Sequence, residues 1–267
     1  MLDSPRDRAA RPGSRRVPGR MSALPPFAVT RRRLLRWGTA LPVVLLAACG
    51  GDPPATPTPT PELTSEEILA RASRQLADTQ TVAFALNVEG DTFIDPVGAL
   101  RLLSATGHLQ RPDRVATEFR ASVAGRAITL QLITVGEQTW MTNVLTGDWE
   151  PAPPEFAYRP DVLFDNQQGL GPVMGRVEGV ERLEDEDLDG RATFHLRAEV
   201  PDSVIGPLSY NTLKGSPITV DLWVAQDTGD LLRARLAEPP GEDRPNPAVW
   251  TLDLSGHGEQ VTIEPPV

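Results

Sequence analysis

"ITVDLWVAQDTGDLLRARLAE", residues 218–238, decides the fold. Its apolar residues fall at every second position: Ile218, Val220, Leu222 and Val224, then, after a polar Asp227-Thr228-Gly229 break, Leu232, Ala234 and Leu236. A period of two puts such side chains on one face of a pleated strand, and a short polar break containing glycine reads as a hairpin turn. The same pattern recurs from residue 81 onward. Val82, Phe84, Leu86 and Val88 form one set; Val115, Phe119, Ala121 and Val123 the next; then Ile128, Leu130 and Leu132. Phe194, Leu196, Ala198 and Val200 follow, then Trp250, Leu252 and Leu254, with Val261 and Ile263 near the end. Turn signals at Val135-Gly136-Glu137, Thr146-Gly147-Asp148 and Asp189-Gly190 separate them. The expected class is α+β, mainly β: a large curved antiparallel sheet, a half-barrel of about 10–11 strands, because a sheet that wide curls.

Three stretches break the alternation. Thr64-Ser65-Glu66-Glu67 is a capping box, and the helix it opens carries an apolar stripe of Ile68, Leu69, Ala72 and Leu76, with Arg71, Arg74 and Gln75 expected to face outward. Residues 159–183 hold Phe164, Leu170, Val173, Met174, Val177 and Val180, cut by Pro160, Gly169 and Pro172. That pattern predicts one or two short apolar helices, whose available partner is the concave face of the sheet. Residues 201–217 read as a long loop carrying Lys214, the only lysine.

Upstream the composition changes. Residues 1–48 hold ten of the 26 basic side chains and, of the 36 acidic ones, only Asp3 and Asp7; the remainder has 16 basic against 34 acidic groups, a net charge near −18. Such a body lacks the concentrated basic face that nucleic acid needs, so no nucleic-acid partner is expected. Arg31-Arg32-Arg33 followed by an apolar run to Ala48 has the form of an export signal; Met21 is a plausible start, and the run from Trp37 is short of the about 20 apolar residues of a membrane span. Thr30 to Arg36 also resembles a twin-arginine motif. Leu46-Ala47-Ala48-Cys49 resembles the lipobox of bacterial lipoproteins, whose cysteine receives diacylglycerol and becomes the first residue. Residues 50–63, "GGDPPATPTPTPEL", cannot pack a core and predict a polyproline II spacer of about 40 Å. The domains expected are therefore a signal peptide (1–48), the lipidated Cys49 with its linker (49–63) and a folded domain (64–267). They imply export and anchorage to the outer face of the cytoplasmic membrane or to the envelope.

Several stretches together resemble the LppX/LprA/LprF/LprG lipoproteins, which group with LolA/LolB-like half-barrels. "ITVGEQTWMTNVLTGDWEPAP" is similar to the family's hairpin with its aromatic and Gly-x-Trp, "DVLFDNQQGLGPVM" to its short helices, and "VERLEDEDLDGRATFHLRAEV" to its strand, Asp-Gly turn and strand. "VDLWVAQDTGDLLRARL" matches its tryptophan hairpin and "WTLDLSGHGEQVTIEPP" its ending, although His257 stands where an aromatic is usual. The resemblance covers about residues 64–267. It implies a non-enzymatic envelope protein that holds a lipid or acylated molecule in an apolar cavity and carries or shields it in transfer.

Two readings of the concave face stay open on periodicity alone: a cavity for acyl chains, and a collapsed core in which the same side chains touch. The cavity reading names Leu86, Phe119, Leu130, Leu132, Trp140, Phe164, Leu170, Met174, Leu196 and Leu222 as lining, with Trp140 at the mouth. A different function on the same fold is an anchored sensor that recognises an envelope partner protein. One cysteine makes no internal disulfide, and no metal or cofactor other than bound lipid is expected. Asp185-x-Asp187-x-Asp189-Gly190 begins like a calcium loop but has Leu196 where the bidentate glutamate belongs. His108, His195 and His257 lack a nucleophile elbow and are expected at the surface, so no catalytic residues are assigned.

Overall fold

The computed structural model describes residues 62–95, 97–154, 165, 167, 169–242 and 244–266. Among the described residues there is a twelve-stranded antiparallel sheet with three helices. In chain order the elements are α1 (Ser65–Asp78), β1 (Thr81–Glu89), β2 (Leu100–Gln110), β3 (Arg114–Val123), β4 (Arg126–Val135), β5 (Gln138–Thr142) and β6 (Trp149–Pro151). Then come α2 (Leu170–Met174), β7 (Glu178–Arg182), β8 (Glu186–Leu188), β9 (Arg191–Val200), α3 (Asp202–Ser209), β10 (Ile218–Ala225), β11 (Leu231–Ala237) and β12 (Val249–Ser255). Two meanders, β1 to β6 and β7 to β12, meet where β1 pairs with β12, giving the order β6-β5-β4-β3-β2-β1-β12-β11-β10-β9-β7, with β8 also on β9. The sheet is open: β6 forms one edge, and β7 and β8 together form the other.

The count exceeds the ten or eleven strands expected because β6 and β8 have three residues each, too few to show alternation. Two segments also differ from the sequence reading. Residues 201–217 contain α3, which starts after Pro201 and buries Ile205; Gly206 and Pro207 inside it disguise the helix. The tail of the 159–183 segment forms edge strand β7, leaving α2 as its helix among the described residues.

α1 is built as its sequence requires. The Thr64 hydroxyl accepts from the Glu67 amide at 3.2 Å and Glu67 Oε2 from the Thr64 amide at 2.9 Å, closing the capping box. Its Ile68, Leu69, Ala72 and Leu76 are buried against the concave face. Arg71, expected outward, instead donates to the carbonyls of Gln226 (3.0 Å) and Asp227 (2.5 Å), tying the helix to the β10–β11 turn. Gly229 in that turn has φ +83°, and a Cβ there would come within 2.8 Å of Arg71 Nε, so both the conformation and the docked side chain require glycine. α2 packs alongside, with Ser73 Oγ donating to the Gly171 carbonyl at 3.1 Å.

Leu196, fully buried at the centre of β9, is the sharpest test of this packing. Leu196→Ala is expected to cost about 2–5 kcal/mol, transfer plus cavity, with the upper half applying if α1 cannot settle into the gap. The shift of a urea midpoint at unchanged m-value measures it.

Candidate functional site

Register turns the alternating residues into a surface. Reading across the strands, Leu130 lies opposite Phe119, Phe119 opposite Ala105, Ala105 opposite Leu86 and Leu86 opposite Leu252. Leu252 in turn faces Ala234, Ala234 faces Leu222, and Leu222 faces Leu196. One apolar row thus crosses eight strands of the concave face, and it holds five of the lining residues expected from sequence: Leu86, Phe119, Leu130, Leu196 and Leu222. Leu132 lies one pair further along β4, opposite Thr117 and Met141.

Burial along this face is uneven. Leu196, Leu222 and Leu132 are buried beneath α1 and α2 in one cluster; Leu100, Ala121 and Leu130 form a second, smaller cluster. Between them Phe84, Leu86, Phe119, Leu236, Trp250 and Leu252 are only half-buried, and Phe119 touches both clusters. This half-buried apolar strip in the middle of the row, with α1 and α2 as its wall, is the candidate trough. Met174 is buried in that wall and Leu170 half-buried. Trp250 stands at the trough's side, its Nε1 donating to Thr92 Oγ1 at 3.0 Å, which satisfies its one polar atom and leaves the ring face to apolar neighbours.

Other expected residues fall elsewhere. Trp140 pairs with Ile133 on the convex face, and its neighbour Met141 is the one that faces inward. Phe164 and Cys49 lie outside the described residues. Phe84, Leu236, Trp250 and Leu252, absent from the expected lining, share the same half-buried apolar strip, and the signal was the same alternation that marked the others.

The convex face carries a second cluster. His195, expected at the surface, is buried: its ring stacks on Trp223 with centroids 4.3 Å apart, and Nδ1 lies 2.9 Å from Glu186 Oε1. Trp223 Nε1 donates to the other oxygen of Glu186 at 3.0 Å. Buried Asp221 accepts from Arg197 Nε at 2.7 Å, a bond that raises the Arg197 pKa, and has Arg235 Nη1 at 3.5 Å. This arrangement satisfies charge across β8–β11 and has no nucleophile in it. His108 is exposed and His257 lies 3.1 Å from the Leu231 carbonyl. Among the described residues no three His, Cys, Asp or Glu side chains are placed to hold a metal ion, and Asp189-Gly190 is the β8–β9 hairpin turn, both residues at positive φ. No helix of the described residues is long and apolar enough to cross a membrane.

The LppX_LprAFG lipoprotein model matches residues 64–263, which contain the sheet, the helices and the trough. The chain belongs to this family. Its family relatives include LprF of Mycobacterium bovis, provisionally named a diacylated glycolipid transporter, which is 28% identical over 249 residues, spanning 83% of this chain and 86% of LprF. The lipoarabinomannan carrier protein LprG of Mycolicibacterium smegmatis is 22% identical over 236 residues, spanning 85% of this chain and 92% of LprG. Crystal structures of family members share the fold: LprF of M. bovis has a TM-score of 0.60 at 19% identity, covering 76% of this chain and 96% of that one. LppX of Mycobacterium tuberculosis has a TM-score of 0.54 at 17% identity, covering 75% and 98%.

Proposed function

We propose that this lipoprotein holds the acyl chains of a lipid or acylated molecule in the trough between the curved sheet and α1, and carries or shields them within the cell envelope while Cys49 anchors the protein to a membrane. The observation that carries the reading is the half-buried belt of Phe84, Leu86, Phe119, Leu236, Trp250 and Leu252 between two buried clusters. Water against that belt is unfavourable, and each methylene placed there gains roughly 0.8 kcal/mol. The names of LprF and LprG, a glycolipid transporter and a lipoarabinomannan carrier, support an acylated ligand.

Trp250 supplies the test. A phospholipid with a pyrene-labelled acyl chain, added to delipidated protein, is expected to receive energy transfer from tryptophan. Trp250→Phe should remove about half or more of the transfer, because efficiency concentrates in the ring that lines the trough. Trp223→Phe, on the convex face, should change it little. Equal losses from the two variants, or no transfer in the parent protein, would contradict the reading.

A further inference from the structure

Among the described residues seven large apolar side chains are exposed, and six of them, Phe93, Val97, Val123, Val144, Leu145 and Tyr210, stand in four connections at one end of the sheet. Phe93 and Val97 are in the β1–β2 loop, Val123 begins the β3–β4 turn, Val144 and Leu145 form the β5–β6 tip, and Tyr210 follows α3 between β9 and β10. The seventh, Leu63, immediately precedes the Thr64 cap of α1, the helix whose Arg71 reaches the β10–β11 turn at the opposite end.

Each tip is held rather than loose. The Asp95 carboxylate accepts from the amides of Val97 (3.2 Å), Ala99 (3.0 Å) and Leu100, fixing a tight loop from which Val97 projects 86% exposed. Asn143 Oδ1 accepts from Leu145 N at 2.9 Å and Thr146 N at 3.3 Å, presenting Leu145 at 95% exposure. Tyr210 sits in the left-handed region at φ 52° on the C-cap of α3, and Val123 leads into Ala124 and Gly125, both at positive φ. Ordered prongs lose little further entropy when they enter another phase.

From these tips we infer that this end of the half-barrel inserts into the interface of a lipid bilayer, pressing the mouth of the trough against the membrane; the inference rests on the acyl-chain reading of the trough. Three features favour a lipid surface over a protein partner or a second copy. The prongs are one or two side chains per connection, spread from β5 to β10 over about 30–35 Å at ordinary strand spacing, a spread unlike the compact dry centre of a protein interface. Beside Phe93 an open cleft of about 430 Å³, lined also by Ala99, Ala124 and Gly125, holds Ser122 and Arg101, the latter paired with Asp91 at 3.3 Å, polar groups at the level where headgroups would lie next to an inserted ring. Leu86, Phe119, Leu236 and Trp250 occupy the half of their strands nearer this end, with Leu252 at the middle of β12 and Phe84 just beyond the middle of β1, so the half-buried strip leans toward the prongs.

The test uses the mature protein purified from membranes and reconstituted in phosphatidylcholine vesicles. Its single native thiol, Cys49, is taken up by the proposed anchor, so one engineered cysteine takes a fluorescent label alone. Labels at Val97→Cys and Leu145→Cys are expected to be quenched by spin-labelled lipid about twofold more than one at Gln138→Cys on the opposite end. Val97→Asp with Val144→Asp should abolish quenching at Leu145→Cys while circular dichroism stays unchanged. Equal quenching at both ends, no quenching at the tips, or self-association of the protein that the aspartates remove would overturn the inference. Lipid extracted from the purified protein before reconstitution separates the two readings. Lipid present with unquenched tips defeats the docking alone, whereas quenched tips with no extractable lipid uphold docking and defeat the trough.

Discussion

Leu252→Asp is expected to weaken acyl-chain binding by about a hundredfold or more while the domain stays folded. Leu252 is the midpoint of the transverse row, between Leu86 on β1 and Ala234 on β11, and it is half-buried. In the ligand-free protein a carboxylate there keeps part of its hydration, so the fold loses less than it does in Leu196→Ala, where burial is complete. With an acyl chain seated, the carboxylate must either lose that water or push aside some four methylenes, at roughly 0.8 kcal/mol each. About 3 kcal/mol is about two powers of ten in affinity. Leu252→Met, which conserves volume and apolarity, should bind within a few-fold of the parent. Titration with the pyrene-labelled phospholipid reads both variants. Equal affinities for Asp and Met at this position would show that the chain lies elsewhere.

Cys49→Ala should abolish acylation altogether. The effect is large because a thioether-linked diacylglycerol brings two chains, enough for stable attachment where one chain gives only marginal binding. Cells fed an alkyne-tagged fatty acid should incorporate label into the parent protein and none into Cys49→Ala. Intact mass should show that the parent's mature chain begins at residue 49. Equal labelling of the two chains would remove Cys49 from the anchor role.

How far these outcomes were legible in the sequence differs by element. The alternation that marks Leu222 and Leu196 also marks Phe84, Trp250 and Leu252, since a period of two reports face and needs no partner to be seen. It does not report which neighbours cover that face, and so buried Leu196 and half-buried Leu252 look alike in the sequence. Trp140 was readable in principle: a two-residue turn at Gly136-Glu137 pairs Val135 with Gln138 and Ile133 with Trp140, which turns the indole to the face away from the inward-facing Leu132. His195 was not readable. Its outward direction follows from its place between Phe194 and Leu196, but its burial depends on Trp223 across the β9–β10 register and on Glu186 from the three-residue strand β8. α3 was hidden by Gly206 and Pro207, which argue against a helix locally and are outweighed by burial of Ile205 against the end of the sheet.

The claim that the trough holds acyl chains is tested most directly by native mass spectrometry of the mature protein released gently from its own membranes. The account predicts a population heavier than the anchored chain by the mass of a lipid or acylated molecule, with that adduct lost in Leu252→Asp and retained in Leu252→Met. A parent protein that carries only its covalent anchor, or an adduct equally abundant in the aspartate variant, would contradict it.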